Sequence, residues 1–249
     1  MPNYGVHVIQ RRTDALRSYV VEATSELVLP NSATYRDNTV PGRHGAFPEF
    51  MYGFHSKTGG FGFDAGVMYK DGVYWIFYGP NSKTGEWKEQ KISAAKMGST
   101  LTFNARLYTN GVSITATVAG GGSASLGGEI YSAAYTELKK GCNFVRELCI
   151  AINPEDNDSC LVPTGAGFTF ASFKKTDLKM ADGTIATLKS SNSTFAKNIF
   201  DSGTPNTTYS GGSSIEDVYN YVNDTAYSAV PVSSEGADLW QFQRQRFPR

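Results

Sequence analysis

No apolar run in the chain approaches the roughly 18 residues that a membrane-spanning helix requires, so no membrane span is expected. Net charge is also missing. The 23 Lys and Arg balance 23 Asp and Glu, and no whole-chain field favours nucleic acid or an anionic surface. Charged residues make up only 18%, below the roughly 25% usual for soluble domains, which suits an extracellular β protein. The first residues lack a charged start followed by an apolar run, so no signal peptide is read there. The chain is then either a mature form with an added Met or one released without a leader.

Histidine is scarce. His7, His44 and His55 are scattered, no Cys/His cluster has zinc spacing, and no cofactor or metal is implied. Asn153 to Asp158 is oxygen-rich but lacks the spaced ligands of a calcium loop. No Gly-x-Ser-x-Gly opens a helix, and the glycine runs at 59–62 and 120–122 sit between strands, which excludes a nucleophile elbow and a phosphate-binding loop. The three cysteines are Cys142, Cys149 and Cys160. Cys142 and Cys149 lie seven apart on one strand, about 23 Å if extended, and are not expected to pair. Either could meet Cys160.

Gly 26, Tyr 14 and Phe 15 are present in quantity, a composition of turns and strands. Gly62 to Pro80 carries the clearest pattern. Asp71-Gly72 between two apolar runs is a hairpin signal, because both turn residues need positive φ. A two-residue loop then sets Tyr69 opposite Tyr74, Met68 opposite Trp75 and Ala65 opposite Tyr78. One face carries Phe63, Ala65, Val67, Tyr69, Tyr74, Ile76 and Tyr78, and the other carries Asp64, Gly66, Met68, Trp75 and Phe77. Neither face is polar, so the hairpin belongs in the middle of a layered structure.

Tyr4 to Gln10 reads as a short strand. Thr13 to Leu27 is ambiguous between helix and strand, and Asp37 to Gly60 reads as a long loop with a short strand near Phe50 to Phe54. Asn81 to Lys96 is a polar connection containing Trp87, a residue suited either to stacking on a sugar or to packing over an edge. Thr100 to Tyr108 alternates cleanly, turns at Asn110-Gly111 and continues inward through Val112, Ile114, Ala116 and Val118. Gly120 to Gly128 reads as a flexible loop, and Glu129 to Tyr135 as a strand. In Asn143 to Ile152, Phe144, Leu148, Ile150 and Ile152 face inward, interrupted by Arg146; Val145, Glu147, Cys149 and Ala151 share the other parity. Gly167 to Phe173 alternates, and Asp182-Gly183 closes a third hairpin. Ser190 to Gly212 reads as loop or linker, Ser214 to Val222 as a short helix, and the tail after Val232 has no periodicity. The expected fold class is all-β, a two-sheet antiparallel β-sandwich (jelly roll) with at most short helices. Residues 61–189 would form its core, 1–60 an N-terminal arm and loop, and 190–249 a C-terminal extension.

The order of features between Gly62 and Ala181 resembles the glutamic peptidases, the eqolisin family. Asp64-Ala65-Gly66-Val67 stands where that family has Gln-x-Gly-Val. Lys70-Asp71-Gly72 matches its acidic turn, and Tyr74 to Pro80 matches its aromatic strand ending in Pro. Arg146-Glu147-Leu148-Cys149 matches Ala-Glu-Trp-Ile, and Leu161 to Phe170 resembles the strand that follows. The resemblance implies a concanavalin-type jelly roll with Glu147 as general base and Asp64 in place of the amide donor. The replacement matters, because an ionised Asp cannot donate a hydrogen bond. Three uses of the pair follow: a proton-sharing acid dyad, the carboxylates of a glycan-cleaving site, or a binding groove without chemistry. The alternative is that Asp64 is a satisfied acid near a turn and Glu147 an exposed strand residue. The groove would bear Trp75, Phe77 and Met68, with Trp87 nearby, and would bind an extended polymer, glycan before peptide. A structural reading has the Arg-rich termini (Arg11, Arg12, Arg17; Arg244, Arg246, Arg249) reaching into a second copy.

Overall fold

The structure is a computed structural model that describes residues 4–12, 18–35, 45–57, 60–153, 167–169, 171–189, 192–200, 227–234 and 237–244. In chain order its elements are β1 (Tyr4–Arg12), β2 (Val20–Val28), β3 (Ser32–Thr34), β4 (Gly45–Ser56), β5 (Gly62–Lys70), β6 (Val73–Pro80), β7 (Lys88–Lys91), β8 (Thr100–Tyr108), β9 (Gly111–Val118) and β10 (Ser123–Glu129). After the helix α1 (Ser132–Lys139) come β11 (Cys142–Asn153), β12 (Gly167–Thr169), β13 (Ala171–Met180), β14 (Ile185–Leu188), β15 (Ser193–Phe200), β16 (Tyr227–Ser234) and β17 (Ala237–Arg244). One large sheet runs β15-β1-β11-β4-β5-β6-β7, a second runs β10-β9-β8-β2-β13-β17-β16 with β14 beside β13, and β12 pairs with β3 in a separate two-stranded ribbon. The protein is thus an all-β, two-sheet antiparallel sandwich with one short helix among the described residues.

The Asp71-Gly72 hairpin has the register that its turn dictates, from Lys70 opposite Val73 to Phe63 opposite Pro80, with φ of 54° and 76° at the two turn residues. The second hairpin turns one residue earlier than expected: Tyr108 pairs with Gly111, so Thr109 and Asn110 form the turn. The inward parity survives, since Leu107 opposes Val112 and both are buried. The third loop is Ala181-Asp182-Gly183, closed by the Met180 N–H donating to the Thr184 carbonyl at 2.8 Å.

Several local readings are corrected. The segment read as a long loop contains β4, twelve residues in the middle of a sheet. Its Pro48 disguises it. Pro48 pairs with Ile150 of β11, whereas the pairing with β5 begins only at Glu49, so the missing N–H breaks no ladder on that side. The helical spacing of Val20, Ala23 and Leu27 comes from an irregularity in β2, where the pairing steps from Glu22–Lys179 to Val20–Met180 and inserts one extra residue. Lys88–Lys91, within the polar connection, forms edge strand β7; charge on an edge discourages pairing with another chain and hides the strand from a hydrophobicity reading. Ser123–Glu129, read as part of a loop, is β10. Tyr131 to Tyr135, read as strand, instead enters α1, where Ala134 and Leu138 bury one stripe of a helix-forming segment. Ser193–Phe200 and the two C-terminal strands replace a linker and an aperiodic tail.

The core lies between the sheets. Phe50, Tyr52, Phe54, Val67, Ile76 and Leu148 from one meet Leu27, Leu101, Phe103, Ile114, Phe173 and Leu178 from the other. Arg146 sits fully buried among them, its Nη1 donating to the Thr176 hydroxyl at 2.9 Å and the Lys174 carbonyl at 3.2 Å. Cys142 and Cys149 are buried free thiols, not bonded to each other, and burial pushes the Cys142 thiol up to about 12. Cys160, the helix expected at 214–222, the calcium candidate beyond Asn153, and Arg17, Arg246 and Arg249 lie outside the described residues.

Candidate active site on the outer sheet face

Residues directly opposite each other in an antiparallel pair share a face. The registers therefore write out the outer face of the seven-stranded sheet in rows. Cys149, Glu49, Met68 and Trp75 make one row, and Glu147, Met51, Gly66 and Phe77 the next. Val145, Gly53, Asp64 and Gly79 follow, then Asn143, His55 and Gly62. Asp64 and Glu147, singled out by the sequence, thus lie on one face, one row and two strands apart. Two further ionisable groups join them: Glu49 and His55, both on β4. Their signal was present in the sequence. Pro48, Phe50, Tyr52 and Phe54 alternate with Glu49, Met51, Gly53 and His55, and the aromatic parity had to face the core.

The floor is apolar and closely packed. Met51, Met68, Phe77 and Cys149 form a buried cluster with Trp75 against it. A side chain at Gly66 would meet the Phe77 ring at 2.6 Å and Met51 Cβ at 2.7 Å, so the absent Cβ lets the ring lie across β5. Trp87 stacks on Phe77, centroids 5.2 Å apart at 11°, and is 48% exposed. Met68 and Phe77 are too deeply buried to offer a face to a ligand, and Glu147, an exposed strand residue in one reading of the sequence, is buried as well at 4% exposure. Trp75 is half-buried, and its Nε1 donates to the Lys70 carbonyl at 3.2 Å.

Electrostatics sort the carboxyls. Glu49 is buried, and burial together with the Asp64 and Glu147 carboxylates pushes it from 4.5 up to about 8. Its Oε2 accepts from the Cys149 thiol at 3.9 Å, which opposes that rise. Burial first, then the surrounding carboxylates, drive the Cys149 thiol well above its usual range; it is no nucleophile. Asp64 is held by His55, with Nε2 3.0 Å from Oδ1. Two glycines make that contact possible. A Cβ at Gly53 would lie 2.9 Å from His55 Nε2, and one at Gly62 would lie 2.8 Å from its Cδ2. The imidazole therefore lies flat across both. Among the described residues no group of three or more His, Cys, Asp or Glu is arranged to hold a metal. A cavity of about 500 Å³ beside Tyr19, Arg106 and Tyr135, on the other sheet, contains none of these carboxyls.

No protein-family model matches the chain, and no curated protein matches it. Solved structures do. Scytalido-glutamic peptidase with a peptide-based transition state analog aligns over 97% of this chain and 98% of its own, at 11% identity and a TM-score of 0.50. The same peptidase with a transition state analog inhibitor aligns over 98% of both chains, at 13% identity and a TM-score of 0.49. At such identity the likeness concerns the fold: the chain shares the jelly-roll architecture of the eqolisin family, the glutamic peptidases.

Proposed function

We propose that the outer face of the seven-stranded sheet is a hydrolytic site that receives an extended polymer and cleaves an acyl bond within it, a peptide bond before others. The observation that carries this reading is the gathering of Glu147, Glu49 and Asp64 on one face over a packed apolar floor. Burial there keeps a proton on Glu49 near neutrality. Carboxyls whose environments differ so much are a mark of acid/base sites. Glu147 is the general base. It takes a proton from a water as the water oxygen bonds to the carbonyl carbon, and returns it to the amine as the carbon–nitrogen bond breaks. The peptidase activity of a protein with the same architecture supports this reading. Low charge content accords with an extracellular setting.

The test is a mixed peptide library incubated between pH 3 and 8, with products read by mass spectrometry. Cleavage by the wild type and a loss of at least about 100-fold in Glu147→Gln are expected, the size of a general-base contribution. A library left intact by the wild type at every pH would sink the proposal.

A second reading, glycan binding without hydrolysis, draws on Trp87. It is an exposed ring already stacked on Phe77 beside the same face, the disposition of a sugar platform. On a glycan array this reading expects binding by Glu147→Gln as strong as wild type and none by Trp87→Ala. Equal signals from the wild type and Trp87→Ala would end it.

A further inference from the structure

The hydrolytic site has a base in Glu147, and its donor is either the proton held on Glu49 or a group beside Asp64. Negative charge that grows on the carbonyl oxygen needs a donor facing it, and an Asp carboxylate at position 64 offers only acceptors. Resting on the hydrolytic reading, we infer that His55, held by Asp64, is the charge-stabilising donor of the site and stands opposite Glu147.

The geometry has three parts. His55 and Asp64 occupy one diagonal of a four-residue block on β4 and β5, and Gly53 and Gly62 occupy the other. With no Cβ on that second diagonal, the ring lies down against the sheet and Nε2 comes to rest over Gly53, within 3.0 Å of Asp64 Oδ1. Gly53 is in turn the diagonal neighbour of Glu147, which opposes Met51 two residues earlier. Diagonal positions of this kind lie about 7–8 Å apart, the sort of span that leaves room for a water between a base and its partner. Finally, the His55 side chain is 44% exposed and Asp64 24%, so the ring is accessible to substrate while its orienting carboxylate lies deeper. The other ionisable positions that share this face by register are Glu147 and Cys149 on β11, Glu49 on β4, Lys70 on β5, Glu89 and Lys91 on β7, and His7 and Arg11 on β1. Asp64 is the carboxylate in contact with the ring.

In the step proposed, Glu147 accepts the proton of the attacking water, the carbonyl π pair moves onto oxygen, and the imidazolium, its Nε2–H taken up by Asp64, donates a hydrogen bond to that oxygen from Nδ1–H. The ring keeps its proton throughout. The Asp64 carboxylate holds it in place and in charge, the positioning role a carboxylate plays behind a catalytic histidine.

The experiment uses the full chain and the peptide library of the preceding section, with His55→Leu, His55→Gln and Asp64→Asn compared against Glu147→Gln. His55→Leu should lower kcat by about 10²–10³-fold, the size of a lost oxyanion donor, with KM little changed, and His55→Gln, whose amide can still donate, should recover part of that loss. Asp64→Asn should move the His55 imidazole midpoint, followed by NMR, to lower pH. Full kcat in a folded His55→Leu variant, while Glu147→Gln is dead, would overturn this inference and leave the hydrolase standing. An unmoved imidazole midpoint in Asp64→Asn would overturn the pairing, whether or not His55→Leu folds. No cleavage by the wild type overturns both.

Discussion

Wild-type protein is expected to lose stability steadily as pH rises from about 4.5 to 8, and Glu49→Gln to escape that loss. The folded state holds the Glu49 carboxyl at about 8, against 4.5 as its ordinary value. A group whose pKa is raised on folding contributes fully below its unfolded value, and the contribution drains away as pH climbs to its folded value. At pH 7 the unfolded chain has released this proton and the folded chain has kept it, a difference of about 3 kcal/mol relative to pH 3. In a chain of this size that corresponds to a melting temperature lower by roughly 6–12 °C. Gln is neutral at every pH and can still accept from the Cys149 thiol, so the variant should match wild type near pH 4 and exceed it at pH 8. The window is clean on its alkaline side, because Cys142 and Cys149 are shifted upward from 9 and act only above it. Thermal melts of the two proteins between pH 4 and 8 decide the matter. Parallel curves would show that Glu49 is not held protonated.

The second large effect belongs to Tyr52, which joins the two layers. It is fully buried and opposes Arg146 on β11. Its ring lies 4.9 Å from Phe103 and 5.4 Å from Phe173 on the facing sheet, and 5.5 Å from Phe144 on its own. Tyr52→Ala removes the ring that all three share, and the surrounding β structure cannot collapse into the space. A loss of about 3–5 kcal/mol is expected, as for large aromatic truncations in packed cores. Tyr52→Phe keeps the ring and removes only a hydroxyl that donates to the Phe103 carbonyl at a long 3.4 Å, so it should lie within about 1 kcal/mol of wild type. Urea unfolding measures both. An alanine variant as stable as the phenylalanine variant would mean that the aromatic cluster does not hold the layers together.

Much of the site's raw material was legible along the chain. Asp64 stood on the face of Met68, Trp75 and Phe77 because side chains alternate strictly in a strand, and Asp71-Gly72 set the register of that hairpin. Glu147 was separated from Phe144 and Leu148 by the same alternation. Glu49 and His55 escaped because Pro48 and the surrounding glycines made β4 read as loop, although its aromatic alternation had the right period. α1 escaped because a short run such as Ser132 to Lys139 has too few turns to declare a helical period against a strand's.

Local features follow from the chain alone: the period of two, the turns at Asp71-Gly72 and Asp182-Gly183, and hence a chain of strands with little helix. The tertiary structure decided which strands lie side by side. β4 pairs with β11, nearly a hundred residues away, and only that pairing sets Glu49 beside Cys149 and diagonal to Glu147. The same assembly buries Glu49 and lifts its pKa, and it lays the His55 ring across Gly53 and Gly62 toward Asp64. The reason is physical. Alternation follows from the pleat of a single strand, whereas lateral neighbours and burial depend on long-range pairing, and burial is what turns ordinary carboxyls into a site.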